Sequence, residues 1–95
     1  MAMVVWKYEL VADDYVWLMM PPGAEPLAVA LQGDRVCLWA RVDPKAGRVK
    51  HRFRIAGTGH PLAADVGRYV GTFHMDKGAL VFHVFDAGEE VPPRG

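Results

Sequence analysis

Four basic side chains and a glycine turn sit side by side in RVKHRFRIAGTGHPL, residues 48–62. Alternate residues of an extended strand share a face, so this pattern lines up Arg48, Lys50, Arg52 and Arg54. Along a strand such neighbours lie about 7 Å apart, where two unit charges in water repel by only about 0.6 kcal/mol. A polyanion facing them converts that mild cost into attraction, and the planar guanidinium fork matches phosphate oxygens. The residues that follow add complementary donors. Gly57 and Gly59 free the backbone for positive φ, so that successive N–H groups can converge. Thr58 brings a hydroxyl and His60 a ring nitrogen. His60 also precedes proline, which disfavours helical geometry there, and Pro61 suits the first position of a short helix whose N-terminal amides would face the same point. The chemistry expected is capture of a phosphorylated ligand. Arg52 and Arg54 would neutralise charge, the Gly57–Gly59 backbone and Thr58 would donate, and His60 would close the site. A solvated outer face on an edge strand followed by a tight corner explains the same residues without a ligand.

The glycines do not make a phosphate loop, because no Lys-Ser or Lys-Thr pair follows them, and the third glycine of a dinucleotide fingerprint is missing. In RVCLWARV, residues 35–42, Val36, Leu38, Ala40 and Val42 form the apolar set. Trp39 then falls on the face bearing Arg35 and Arg41, where it could stack a base beside Arg41 or lie under a loop. Cys37 shares that face, but no neighbouring base supports a nucleophilic role, and an inert thiol is expected. His51, His60, His74 and His83 lack the close ligand spacing of a zinc site, so neither a metal nor another cofactor is expected. Asp13-Asp14 and Glu89-Glu90 lie in turn or tail segments, and no acid–base pair suggests catalysis.

The chain has 95 residues with eleven basic and eleven acidic side chains. Zero formal charge argues against dedicated DNA or RNA binding and against electrostatic attachment to membranes. The distribution is uneven, since seven of the eleven basic residues, Arg35, Arg41, Lys45, Arg48, Lys50, Arg52 and Arg54, fall within residues 35–54. One cysteine excludes an internal disulfide. The N-terminus MAMVVWKYEL lacks signal-peptide features, and no apolar run approaches the ~20 residues of a membrane span. A soluble cytoplasmic protein is the expectation.

The elements that must position these residues read as strands. VVWKYEL (4–10) alternates, with Val4, Trp6, Tyr8 and Leu10 on one face. YVWLMM (15–20) is wholly apolar, which fits a strand buried on both sides or one covered by a partner chain. PLAVALQ (26–32) and RVCLWARV flank Gly33-Asp34 as a hairpin. RVKHRFRI (48–55) is the clearest alternating strand, and RYVGTFHM (68–75) with ALVFHVFD (79–86) forms a closing hairpin around Asp76-Lys77-Gly78. Residues 61–66 read as one short helix. The prediction is a mainly β fold, an antiparallel sandwich or small barrel of about seven strands. It comprises a single domain over residues 1–88, with residues 89–95 as a flexible tail.

The marks LWARVDP (38–44), GTGHP (57–61) and YVGTF…LVFHVF (69–85) resemble a family of small bacteriophage-encoded proteins of unassigned function. The similarity extends over nearly the whole chain and implies a phage setting, in an infected bacterial cytoplasm, rather than an activity. Together with the anion-site argument, it leads to the expectation of a non-enzymatic, homo-oligomeric sponge. Such a protein would sequester a phosphorylated small ligand, such as a cyclic nucleotide immune signal. A protein–protein interaction module, such as a phage inhibitor or virion accessory protein, is the first rival. A small phosphodiesterase or nuclease is the second.

Overall fold

The computed structural model describes residues 2–90 of the chain. Seven strands follow one another in sequence: β1 (Val4–Leu10), β2 (Tyr15–Met20), β3 (Glu25–Gln32), β4 (Arg35–Val42), β5 (Val49–Gly57), β6 (Arg68–Met75) and β7 (Leu80–Glu89). They form two antiparallel sheets, one of order β1-β4-β3 and one of order β2-β5-β7-β6. The mainly β architecture expected from the alternation is present.

Alternation decides which side chains meet. Val36, Leu38, Ala40 and Val42 of β4 face Phe53 and Ile55 of β5 and Val84 of β7 in a single core, completed by Val16, Met20, Val29 and Phe73. Because both sheets contribute their inner faces to that core, their outer faces point in opposite directions. Tight turns set the pairing. Gly33-Asp34 aligns Gln32 with Arg35, and Asp76–Gly78 forms a short 3-10 turn between Met75 and Leu80. The two sheets also approach at one side, where β3 meets β6. A methyl group at Gly71 would lie 2.7 Å from Val29 Cγ1, so the missing side chain is what allows this approach. On the opposite side, the Arg48 guanidinium covers the Trp6 ring at 4.8 Å.

Several expectations are corrected. Residues 61–66 are not helical. A single turn, with Val66 N–H donating to Ala63 O at 3.1 Å, occupies the segment. Six residues are too few to offset the cost of helix nucleation without a packed apolar face. Strand β7 runs through Glu89, and residues 91–95 of the expected tail lie outside the described residues. Glu89 is fixed by an interaction of its side chain with the Gly23 N–H. Strand β2 is not buried on both sides, since only Val16, Leu18 and Met20 turn inward. Arg48 precedes β5 and lies on Trp6, so it does not join the row of Lys50, Arg52 and Arg54.

Candidate functional site

The outer face of the four-stranded sheet combines exposed aromatic residues with cations. Strand pairing sets Tyr15 opposite Arg54, Trp17 opposite Arg52 and Met19 opposite Lys50. Directly opposed residues share a face, so the outward side of β2 and the basic side of β5 form one surface. Trp17 and Met19 are 50% and 53% exposed, which is unusual for such large apolar side chains. The Tyr15 ring lies 6.2 Å from the Trp17 ring. The Arg52 and Arg54 guanidiniums lie over Tyr15, at 5.2 Å and 5.3 Å from its centroid. A cation over the face of an aromatic ring is held by the ring quadrupole, so Tyr15 positions both arginines. Among the described residues, Lys50 and Arg52 make no ion pair.

The same face continues across β7 and β6. Tyr69 packs edge-on against Phe85 at 5.8 Å, and pairing places Phe85 beside Arg54 on one side and Tyr69 on the other. The Tyr69 hydroxyl is 2.5 Å from Thr72 Oγ1. Thr72 Oγ1 lies 3.0 Å from His83 Nδ1, and His83 Nε2 lies 2.8 Å from Thr58 Oγ1. This chain of polar contacts ties the Gly57–His60 turn to the sheet and fixes the Tyr69 ring.

The sequence-predicted residues divide among three places. Arg52 lies on the exposed face just described. Arg54 shares that face, but its side chain is only 12% exposed. It donates from Nη1 to Asp14 O at 3.2 Å and to Ile55 O at 2.7 Å, and from Nη2 to Pro61 O at 3.1 Å. The Asp14 carboxylate lies 3.4 Å from Nη1. Arg54 therefore acts as a brace between two loops. The glycine turn likewise spends its amides internally. Thr58 N–H donates to Val81 O at 3.1 Å and His60 N–H to Gly57 O at 3.0 Å. Gly59 has φ 88°, as the third position of a tight turn requires. Gly57 is the last residue of β5 and does not adopt positive φ. Its missing side chain instead admits the His60 ring, whose Cε1 would lie 3.0 Å from an added methyl. His60 borders a hollow of about 270 Å³ with Asp13 and Asp14 at its rim and Ile55, Phe73 and Phe82 in its floor. That acidic rim does not suit phosphate.

Trp39 and Arg41 lie on the outer face of the other sheet, on the far side of the core from Arg52 and Arg54. Pairing sets Trp39 between Lys7 and Ala28, and Arg41 Nη2 bonds Glu25 at 2.6 Å. They cannot clamp a ligand held on β5. Cys37 is buried although it points outward. The bond from Lys7 Nζ to Gln32 Oε1, 2.6 Å long, runs from β1 to β3 across β4 at its level.

Inside the core, His51 is only 2% exposed, and its Nε2 lies 2.6 Å from Asp86 Oδ1. The His51 ring stacks on Phe53 at 4.8 Å. Burial pushes the Asp86 carboxyl up. The His51 hydrogen bond, the Gly88 N–H at 2.9 Å and the His51 and Arg68 charges outweigh it, and hold the carboxyl below the ordinary carboxylate value. His51 is closed off from solvent, and Asp86 is left 15% exposed. No three His, Cys, Asp or Glu side chains gather as a metal site among the described residues. Nor is any described helix long and apolar enough to cross a membrane.

Sequence reasoning placed Lys50 and Arg52 on one face but missed Tyr15, Trp17 and Tyr69 as members of the same surface. The available signal was the strand YVWLMM, whose even alternation puts Tyr15, Trp17 and Met19 together opposite an inward set. No curated protein and no solved structure matches the chain. A family model described as a domain of unknown function, DUF7352, matches residues 1–94, and the chain belongs to that family.

Proposed function

We propose that this protein is a non-enzymatic binding module that captures a phosphorylated ligand bearing an aromatic base, on the outer face of the β2-β5-β7-β6 sheet. The observation that carries the reading is the direct opposition of exposed Trp17 to Arg52, with Arg52 held over Tyr15. The Trp17 indole offers a stacking plane, worth about 1–3 kcal/mol per base. Arg52 and Lys50 supply charge for phosphate one strand away. In this reading the ligand is kept rather than converted. In an infected bacterial cell, a phage-encoded copy would remove a nucleotide immune signal from circulation. The basic row of the original expectation thus contributes Lys50 and Arg52, while Arg54 adds charge from a fixed position. Trp39, Arg41 and His60 have no part in it.

Thermal-shift measurements against a panel of mononucleotides and cyclic nucleotides test the proposal. A stabilising ligand is expected, with the shift lost in Trp17→Ala and in Arg52→Ala and the ligand recovered intact after denaturation. Recovery of a cleaved product would favour the phosphodiesterase reading. A second reading, a protein–protein contact, is favoured by the exposure of Trp17 and Met19 on an edge strand. It predicts no response to any nucleotide, and a change in oligomeric state or partner capture on Trp17→Ala.

A further inference from the structure

The exposed face has an order, and the order bears on what ligand fits it. Reading across the strands at one level gives Tyr15, Arg54, Phe85 and Tyr69. One step along the strands lie Trp17 and Arg52. Aromatic groups therefore stand at both margins, Trp17 with Tyr15 on β2 and Tyr69 on β6, and the strand between them that carries cations is β5, with Arg52 and Arg54. Both guanidiniums converge on Tyr15, at 5.2 Å and 5.3 Å, so the positive charge of β5 is gathered toward the β2 side of the face. Three strand spacings separate β2 from β6, which puts the two aromatic margins about 14 Å apart.

Tyr69 is the least explained member of this surface. It is 54% exposed, yet its hydroxyl is held by Thr72 and, through it, by His83 and Thr58. The polar chain fixes the phenol while leaving ring surface open to solvent. A ring held in advance loses little freedom when a ligand stacks on it.

We infer that the ligand carries two bases joined through phosphate, one stacking at Trp17 and the other at Tyr69, with the bridging phosphate at Arg52, and Arg54 adding charge from its fixed position. The aromatic, cationic, aromatic order of the face is the complement of base, phosphate, base. A mononucleotide fills only half of it. This inference rests on the binding face proposed above and adds the second base and the role of Tyr69.

Isothermal titration with adenosine monophosphate, linear and cyclic diadenylate, their guanine counterparts, and a single-stranded twelve-nucleotide oligomer tests the inference. A preferred two-base ligand is expected to bind about ten- to hundredfold more tightly than the matching mononucleotide, as one added stack implies. Tyr69→Ala should remove that excess and leave mononucleotide affinity unchanged, whereas Tyr69→Phe, which keeps the ring, should retain most of it. Trp17→Ala should weaken both ligand classes. Equal affinity for one-base and two-base ligands overturns the inference and leaves the binding face standing. So does a two-base preference that survives Tyr69→Ala. Binding of the oligomer far beyond the two-base ligand would replace a small ligand with single-stranded nucleic acid. Failure of every probe to bind the wild-type protein would remove the binding face itself.

Discussion

Arg52 and Arg54 are two residues apart on one strand and one face, yet the structure gives them opposite roles. Replacing Arg54 by alanine removes three charged hydrogen bonds to backbone carbonyls. Hydrogen bonds from charged donors contribute about 1.5–3 kcal/mol each, but the three do not sum. Asp14 O keeps a second donor, Ile55 N–H at 2.9 Å, and water can reach the Pro61 loop. The Asp14 carboxylate is 81% exposed, so the ion pair adds at most about 1 kcal/mol. A net loss of about 2–3 kcal/mol follows. For a domain of this size each kcal/mol lowers Tm by about 4–8 °C, so Arg54→Ala should melt on the order of 10–20 °C below wild type. Arg52→Ala gives up one exposed cation–π contact, worth at most about 1 kcal/mol. Urea unfolding followed by tryptophan fluorescence measures both. If Arg54→Ala costs less than about 0.5 kcal/mol, or Arg52→Ala costs as much as Arg54→Ala, the division of roles is wrong.

Three other outcomes are expected. Because the folded Asp86 carboxyl lies below the ordinary carboxylate value, it stabilises the fold above that range. That stability is lost as pH falls through the depressed value. Asp86→Asn should therefore be less stable at neutral pH by about 3 kcal/mol and lose less additional stability on acidification than wild type, as read by unfolding at a series of pH values. Cys37 is 2% exposed, so its native thiol should react with an aromatic disulfide reagent far more slowly than after denaturation. Reaction at the unfolded rate would contradict the covering role of the Lys7–Gln32 bridge. Gly71→Val should loosen the meeting of β3 and β6 and destabilise by about 1–3 kcal/mol, measured by chemical denaturation, whereas a neutral effect would mean that Val29 yields freely.

The strands were legible because a period of two is written directly in VVWKYEL, RVCLWARV and RVKHRFRI. The turns at Gly33-Asp34 and Asp76-Lys77-Gly78 were legible from residue type. Pairings beyond the hairpins were not, since nothing local to β4 says that its second neighbour is β1 rather than β5. That missing fact alone decides whether Trp39 and Arg41 can reach Arg52. Strand β2 misled because its exposed positions hold Tyr15, Trp17 and Met19, so the polar half of the alternation is absent. The glycine turn was half legible. Gly59 adopts the expected positive φ, while the amides of Thr58 and His60 found backbone partners contributed by Val81 and Gly57. Arg54 could not be told from Arg52, because its partners, Asp14 and Pro61, approach only through the folded loops.

Trp17 lies on the four-stranded sheet, Trp39 on the outer face of the three-stranded sheet and Trp6 beneath Arg48 on β1, which permits one direct measurement of where ligand binds. In proton–nitrogen NMR spectra the three indole N–H signals of Trp6, Trp17 and Trp39 report on separate regions. Titration with a stabilising nucleotide is predicted to shift the Trp17 indole and the backbone amides around Lys50, Arg52 and Tyr15, with Trp39 and the Asp13–His60 hollow unmoved. Movement of Trp39 or of the His60 hollow, with Trp17 left in place, would contradict the account.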